Sequence, residues 1–103
     1  MGMDKQEIKN RLCQALDACP HKEAITSLAI FGSYVNGMPD ENSDLDILVD
    51  FEPDAKIGYF AMAHIKRFFE SVLGITVDLL TPPAISKYFR DEVLKQAEYL
   101  YEK

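Results

Sequence analysis

The stretch Asp44 to Phe51, DLDILVDF, constrains the fold more than any other part of the chain. Successive side chains of a strand point to opposite faces. Read that way, Leu45, Ile47, Val49 and Phe51 form one apolar row that must be buried, and Asp44 and Asp46 stand together on the other side. A helix would scatter both sets around its axis, so the pattern demands a sheet with one covered face and one polar face. Pro53 ends the strand.

The remaining elements follow from periodicity and breakers. Asp4 to Asp17 reads as a helix: Asp4 and Glu7 have the spacing of an N-cap and its capping-box partner, and Ile8, Leu12, Ala15 and Leu16 share one face. Pro20 prevents its continuation. Ile25 to Phe31, ITSLAIF, is a short apolar and β-branched run that stops at Gly32, and so a buried strand. Gly32 to Ser43 is rich in turn residues. Ile57 to Leu73 carries Ala61, Ile65, Phe68, Phe69 and Val72 at helical spacing, with Gly74 placed as a C-cap. Ile75 to Leu80, ITVDLL, is a third strand, broken by Thr81, Pro82 and Pro83. Ala84 to Tyr101 is expected to be helical in two pieces, with Tyr99, Leu100 and Tyr101 as helix packing.

The order helix, strand, strand, helix, strand, helix predicts an α+β (α/β) fold. Its small mixed sheet has about three strands, with helices packed on one face. The first two strands, joined by a compact loop, are most simply antiparallel. The strand–helix–strand segment from Asp44 to Leu80 suits a parallel crossover. At 103 residues the chain is expected to be one domain, 1–103.

That topology has a chemical consequence. The Gly32–Ser33 turn falls beside Asp44 and Asp46, and Asp78, the one charge inside ITVDLL, falls at a comparable height on the next strand. Singly, each piece is ordinary: Asp-x-Asp is commonly a solvated strand edge, Gly-Ser a turn, and Asp78 a surface residue. As a set they describe three converging carboxylates, which repel unless a cation joins them. Mg²⁺ takes oxygen ligands and commonly sits between carboxylates and substrate phosphates. Two such ions can serve an in-line displacement at phosphorus. Gly32 permits close approach of backbone to phosphate, and Ser33 offers a hydroxyl and an N–H.

The stretch GSYVNGMPDENSDLDILVDF resembles the signature of the MNT, or minimal nucleotidyltransferase, branch of the polymerase-beta-type nucleotidyltransferase superfamily: Gly-Ser, ten residues, Asp-x-Asp. ITVDLLTP is similar to that family's third-carboxylate strand, and VLKQAEYLYEK to its carboxy-terminal helix. The resemblance implies that Gly32 and Ser33 bind the phosphates of ATP. It implies that Asp44, Asp46 and Asp78 are catalytic and hold Mg²⁺. It further implies an antitoxin whose partner is an all-helical HEPN toxin, neutralised by transfer of AMP to a toxin tyrosine. The sequence departs from the pattern at Asn36, where many relatives carry arginine; Tyr34 differs likewise. Lys66, Arg67, Lys87 and Arg90 are the cations that could take over that charge.

Two other functions remain in view: neutralisation of the partner by binding alone, and nucleotidyl transfer to a small molecule or an RNA end. The net charge of −6 argues against non-specific nucleic-acid binding. Met1 to Asn10 is polar, without a signal-peptide core, and no apolar run approaches the roughly 20 residues of a membrane span. A cytoplasmic setting without membrane contact is expected. Cys13 and Cys19 lack zinc spacing and read as reduced thiols.

Overall fold

The computed structural model describes residues 5–31, 44–85 and 87–103. Its centre is a pair of apolar strands, β1 (Ile25–Phe31) and β2 (Leu45–Phe51). They run antiparallel, with Leu28 opposite Val49, Ile30 opposite Ile47 and Phe31 opposite Asp46. The alternation of β2 is realised for Leu45, Ile47 and Val49, which are fully buried; Phe51, expected in the same row, is only partly buried, and Leu48, on the face of Asp46, is buried too. β3 (Val77–Leu80) joins β2 on its other side in parallel, Leu45 beside Val77 and Ile47 beside Leu79.

Two helices cover the face to which those residues point. α1 (Lys5–Ala15) contributes Ile8 and Leu12, and a 3₁₀ turn at Leu16–Ala18 continues it. The expected capping residue Asp4 lies outside the described residues; Glu7 instead pairs with Arg11 one turn on, at 2.8 Å. α2 (Tyr59–Leu73) contributes Ile65, Phe69 and Leu73, an i, i+4, i+8 row that buries a single stripe. Phe68 and Val72, also expected inside, pack only partly buried at its margin. α2 ends where Gly74 takes φ +73°, a left-handed conformation that costs glycine little, and its N–H closes the last turn on the Glu70 carbonyl at 2.7 Å.

The C-terminal third corrects the sequence reading. After a 3₁₀ turn at Pro82–Ala84, α3 spans only Lys87–Gln96, and the chain then extends as β4 (Glu98–Glu102). β4 pairs antiparallel with the free side of β1, Leu28 opposite Tyr101 and Ala29 opposite Tyr99. The sheet therefore has four strands, ordered β3-β2-β1-β4, not about three. Tyr99, Leu100 and Tyr101 are strand residues, not helix packing. Pairing with β1 satisfies a row of backbone groups that a three-stranded sheet would leave at its edge. The Lys103 N–H bonds to the Thr26 carbonyl at 2.8 Å, and the Lys9–Glu98 ion pair at 3.5 Å ties α1 to the strand.

Among the described residues no helix is long and apolar enough to cross a membrane. Both cysteines are free thiols, Cys13 exposed and Cys19 buried.

Phe69 is fully buried at the meeting point of α2 and the sheet, whereas its neighbour Phe68 is only half-buried. Phe69→Ala should destabilise the fold by about 3–5 kcal/mol, the range for emptying a core aromatic site, and Phe68→Ala by clearly less. Urea unfolding of the two variants checks this; equal losses would contradict the described helix face.

Candidate active site

Turning the strand alternation over gives the polar face. With Leu45, Ile47, Val77 and Leu79 committed to the core, Asp46 and Asp78 must point the other way, and the parallel register sets them directly side by side. Asp44 stands immediately ahead of β2, exposed, as is Asp78; Asp46 is half-buried. The burial of Asp46 pushes its carboxyl up to about 6, with the charges of Asp78 and then Asp44 adding to the effect. All three aspartates singled out in the sequence are thus brought into electrostatic contact at one end of two adjacent strands.

β1 completes the geometry from the other side. Its last residue, Phe31, faces Asp46 across the antiparallel pair. Gly32 and Ser33, which follow it in the chain, lie outside the described residues, as do Tyr34 and Asn36.

A local device holds β3 in place. The backbone N–H of Val77 donates to the Glu70 carboxylate at 3.0 Å, and the N–H of Leu45 donates to the Thr76 carbonyl at 2.9 Å. Glu70 belongs to the last turn of α2, so the helix that covers the core also anchors the strand that carries Asp78. Sequence reasoning missed this role. The available signal was one glutamate near the end of an otherwise apolar stripe, seven residues before Val77.

Among the described residues no cation forms an ion pair with Asp44, Asp46 or Asp78. The four candidate cations are placed differently from one another. Lys66 lines a cleft together with Asp78. Lys87 sits over the Tyr88 ring, 5.6 Å from its centre. Arg90 is turned inward and donates to the Ile85 carbonyl at 3.1 Å. Arg67 is exposed on α2. Lys66 thus shares a cavity with an aspartate of the site.

The donor set is all carboxylate oxygen, which suits a hard divalent cation and not zinc or copper. Among the described residues no three Asp, Glu, His or Cys side chains group tightly enough to hold a metal ion unaided. Magnesium does not require such a cage: it usually takes one or two carboxylates and completes its shell with water and substrate phosphates. Asp46 is raised to about 6 by burial and by its two neighbours' charges, and a cation placed there would oppose that shift.

Comparison with known proteins gives the family of the chain. The nucleotidyltransferase domain family model matches residues 12–100. The protein adenylyltransferase MntA of Thermococcus cleftensis is 30% identical over 95 residues, which span 92% of this chain and 94% of that protein. A solved structure described as a candidate minimal nucleotidyltransferase superposes with a TM-score of 0.75 at 29% identity, over 93% of this chain and 95% of the other. A chain from the structure of tri-AMPylated Shewanella oneidensis HEPN toxin in complex with MNT antitoxin shares the fold, with a TM-score of 0.65 at 23% identity, over 95% of this chain and 72% of its own length. Members of the nucleotidyltransferase family generally use a divalent metal.

The carboxylate cluster should register in stability. Asp46 has a folded value of about 6 against an ordinary 3.8, so the folded state holds the proton more tightly than the unfolded chain. Its contribution is most favourable below the ordinary value and is lost as the pH rises through the folded one. Without divalent cations, Asp46→Asn should therefore melt a few degrees higher than the parent at pH 7.5. That gain should fade below about pH 4, where both side chains are neutral. Thermal melts at the two pH values test this. A variant less stable than the parent at pH 7.5 would show that the repulsion is absent.

Proposed function

The chain belongs to the nucleotidyltransferase domain family, and on that premise we propose that it transfers AMP from ATP to a tyrosine hydroxyl of a HEPN-type toxin partner, acting as the antitoxin of the pair. The observation that carries the reading is the register pairing of Asp46 with Asp78, with Asp44 beside them. Masking a partner gives no reason to keep mutually repelling carboxylates at one end of a sheet, whereas nucleotidyl transfer needs them. The name of the Thermococcus relative supports adenylyl transfer to protein, and the Shewanella complex supports the kind of partner.

In this reading Asp44, Asp46 and Asp78 would hold Mg²⁺, two ions in all, and Gly32 and Ser33 would receive the phosphates of ATP through backbone N–H groups and the serine hydroxyl. When bound, the metal would supply neutralisation of the phosphate charge. Asp78 orients the tyrosine and accepts its proton. The tyrosine oxygen forms a bond to the α-phosphorus, the bond from that phosphorus to the β-bridging oxygen breaks, and pyrophosphate leaves. Residues 1–103 act as a single minimal domain in the cytoplasm, where ATP is at hand.

Incubation with a HEPN-type partner, labelled ATP and Mg²⁺ should place label on the partner. Chelation of the metal should stop it. Asp44→Ala or Asp46→Ala should cut the rate by about 100-fold or more, the scale on which loss of one transition-state-stabilising group is felt. Labelling that survives both substitutions rejects the assignment. A partner neutralised with no label on it would point to masking instead.

A further inference from the structure

The outer face of α2 concentrates aromatic rings and cations in an otherwise acidic chain. Opposite the buried stripe of Ile65, Phe69 and Leu73, the positions Phe60, His64, Arg67 and Ser71 form a second row at i, i+4, i+7 and i+11, and all four are exposed. Tyr59 and Lys66 flank that row on the side of β3, where both border the cleft shared with Asp78. We infer that this face docks a protein partner whose own surface has an apolar centre and carboxylates around it. Tyr59 and Phe60 fill the centre, and His64, Lys66 and Arg67 meet the acids. The inference takes from the reading above only that the chain works against a protein partner, and it holds whether or not AMP is transferred.

Three observations carry it. The first is exposure. Tyr59 and Phe60 stand 83% and 78% exposed in the first turn of α2. Single apolar residues on a surface are ordinary, but two adjacent rings make a patch, and aromatic residues are enriched where proteins meet. The second is charge. The chain has 17 acidic residues, yet none lies between Asp54 and Glu70, the stretch that holds Lys56, His64, Lys66 and Arg67. Among the described residues Lys9, Arg11, Lys22 and Lys103 are ion-paired, whereas none of those four is. Glu70, the acid of α2 itself, is engaged by the Val77 N–H. Unpaired cations are free to meet carboxylates across an interface, where complementary charge steers approach and fixes register.

The third selects the occupant. The rings of Tyr59 and Phe60 meet edge to face, with centroids 5.9 Å apart and planes at 76°. Successive bases of a nucleic-acid strand stack face to face, and two perpendicular neighbours do not extend such a stack. The net charge of −6 also opposes a polyanion at long range. A second copy of this chain, paired through the same face, would set His64, Lys66 and Arg67 against their own counterparts, like charge on like. A protein surface with acids around an apolar centre fits the rings and the charge together.

The test uses as probe a helical peptide of about 18 residues with a leucine stripe flanked by glutamates, and follows the backbone amide signals of Phe60, His64 and Arg67. Saturable shifts centred on this face are expected. The same peptide with lysine for every glutamate should bind about tenfold more weakly or worse. Phe60→Ser and Arg67→Glu should each weaken the glutamate peptide by about tenfold, with thermal melts close to the parent's because both positions are exposed. No saturable shift would overturn the inference, as would equal binding of the lysine peptide. Oligothymidylate binding at these amides in place of the peptide would give the face to nucleic acid, and concentration-dependent shifts without any probe would give it to a second copy; either overturns the inference. Peptide docking without AMP transfer to any partner would keep the face and remove the transfer reading. Transfer to a partner at an unchanged KM in Phe60→Ser and Arg67→Glu would do the reverse.

Discussion

The parallel pairing of β2 and β3 can satisfy both faces of the sheet in one register only. Val77 and Leu79 must enter the core beside Leu45 and Ile47, and that choice places Asp78 next to Asp46 on the opposite face. A slip of one residue would bury a carboxylate and expose a valine, because side chains alternate strictly along a strand. The hydrophobic core therefore builds the acidic pair as a by-product of its own packing. Glu70 reinforces the arrangement from the helix side by receiving the Val77 N–H, where a free end of an edge strand would otherwise fray.

The same geometry works against stability. Burial and two neighbouring charges raise Asp46 to about 6, and among the described residues no cation is ion-paired with any of the three aspartates. Such a cluster is a local cost that the fully buried set of Ile8, Leu12, Ile30, Ile47, Phe69 and their neighbours has to outweigh. As the pH falls through about 6, protonation of Asp46 relieves that cost.

The parts legible in the sequence were those written locally. β1 begins and ends where its apolar run does, β2 follows its alternation, and Gly74 stops α2. Asp46 and Asp78 came together because their strands had to bury the residues on either side of them. The C-terminal strand was not legible. Good helix formers lead from Val93 into Glu98–Glu102, and nothing within that segment says that β1 has an unpaired side 70 residues earlier; strand formation there is decided by the partner more than by local preference. The cleft was hidden for a related reason. Tyr59, Met62 and Asp78 meet only when α2 lies along β3, and no spacing along the chain encodes that meeting.

The misread strand bears on function as well as on fold. Had Glu98–Glu102 been helical, the sheet would have ended at β1 on one side and β3 on the other, with Asp46 midway between two open edges. β4 closes the β1 side with a paired strand, held by the Lys103 and Lys9 contacts. The asymmetry that remains gives the site a direction. The strand leading into Gly32–Ser33 is flanked on both sides, while β3 keeps its outer edge beside a cleft and two exposed aromatic rings. Strand order alone thus leaves one flank of the Asp46–Asp78 pair closed by paired strands and the other flank at an open edge.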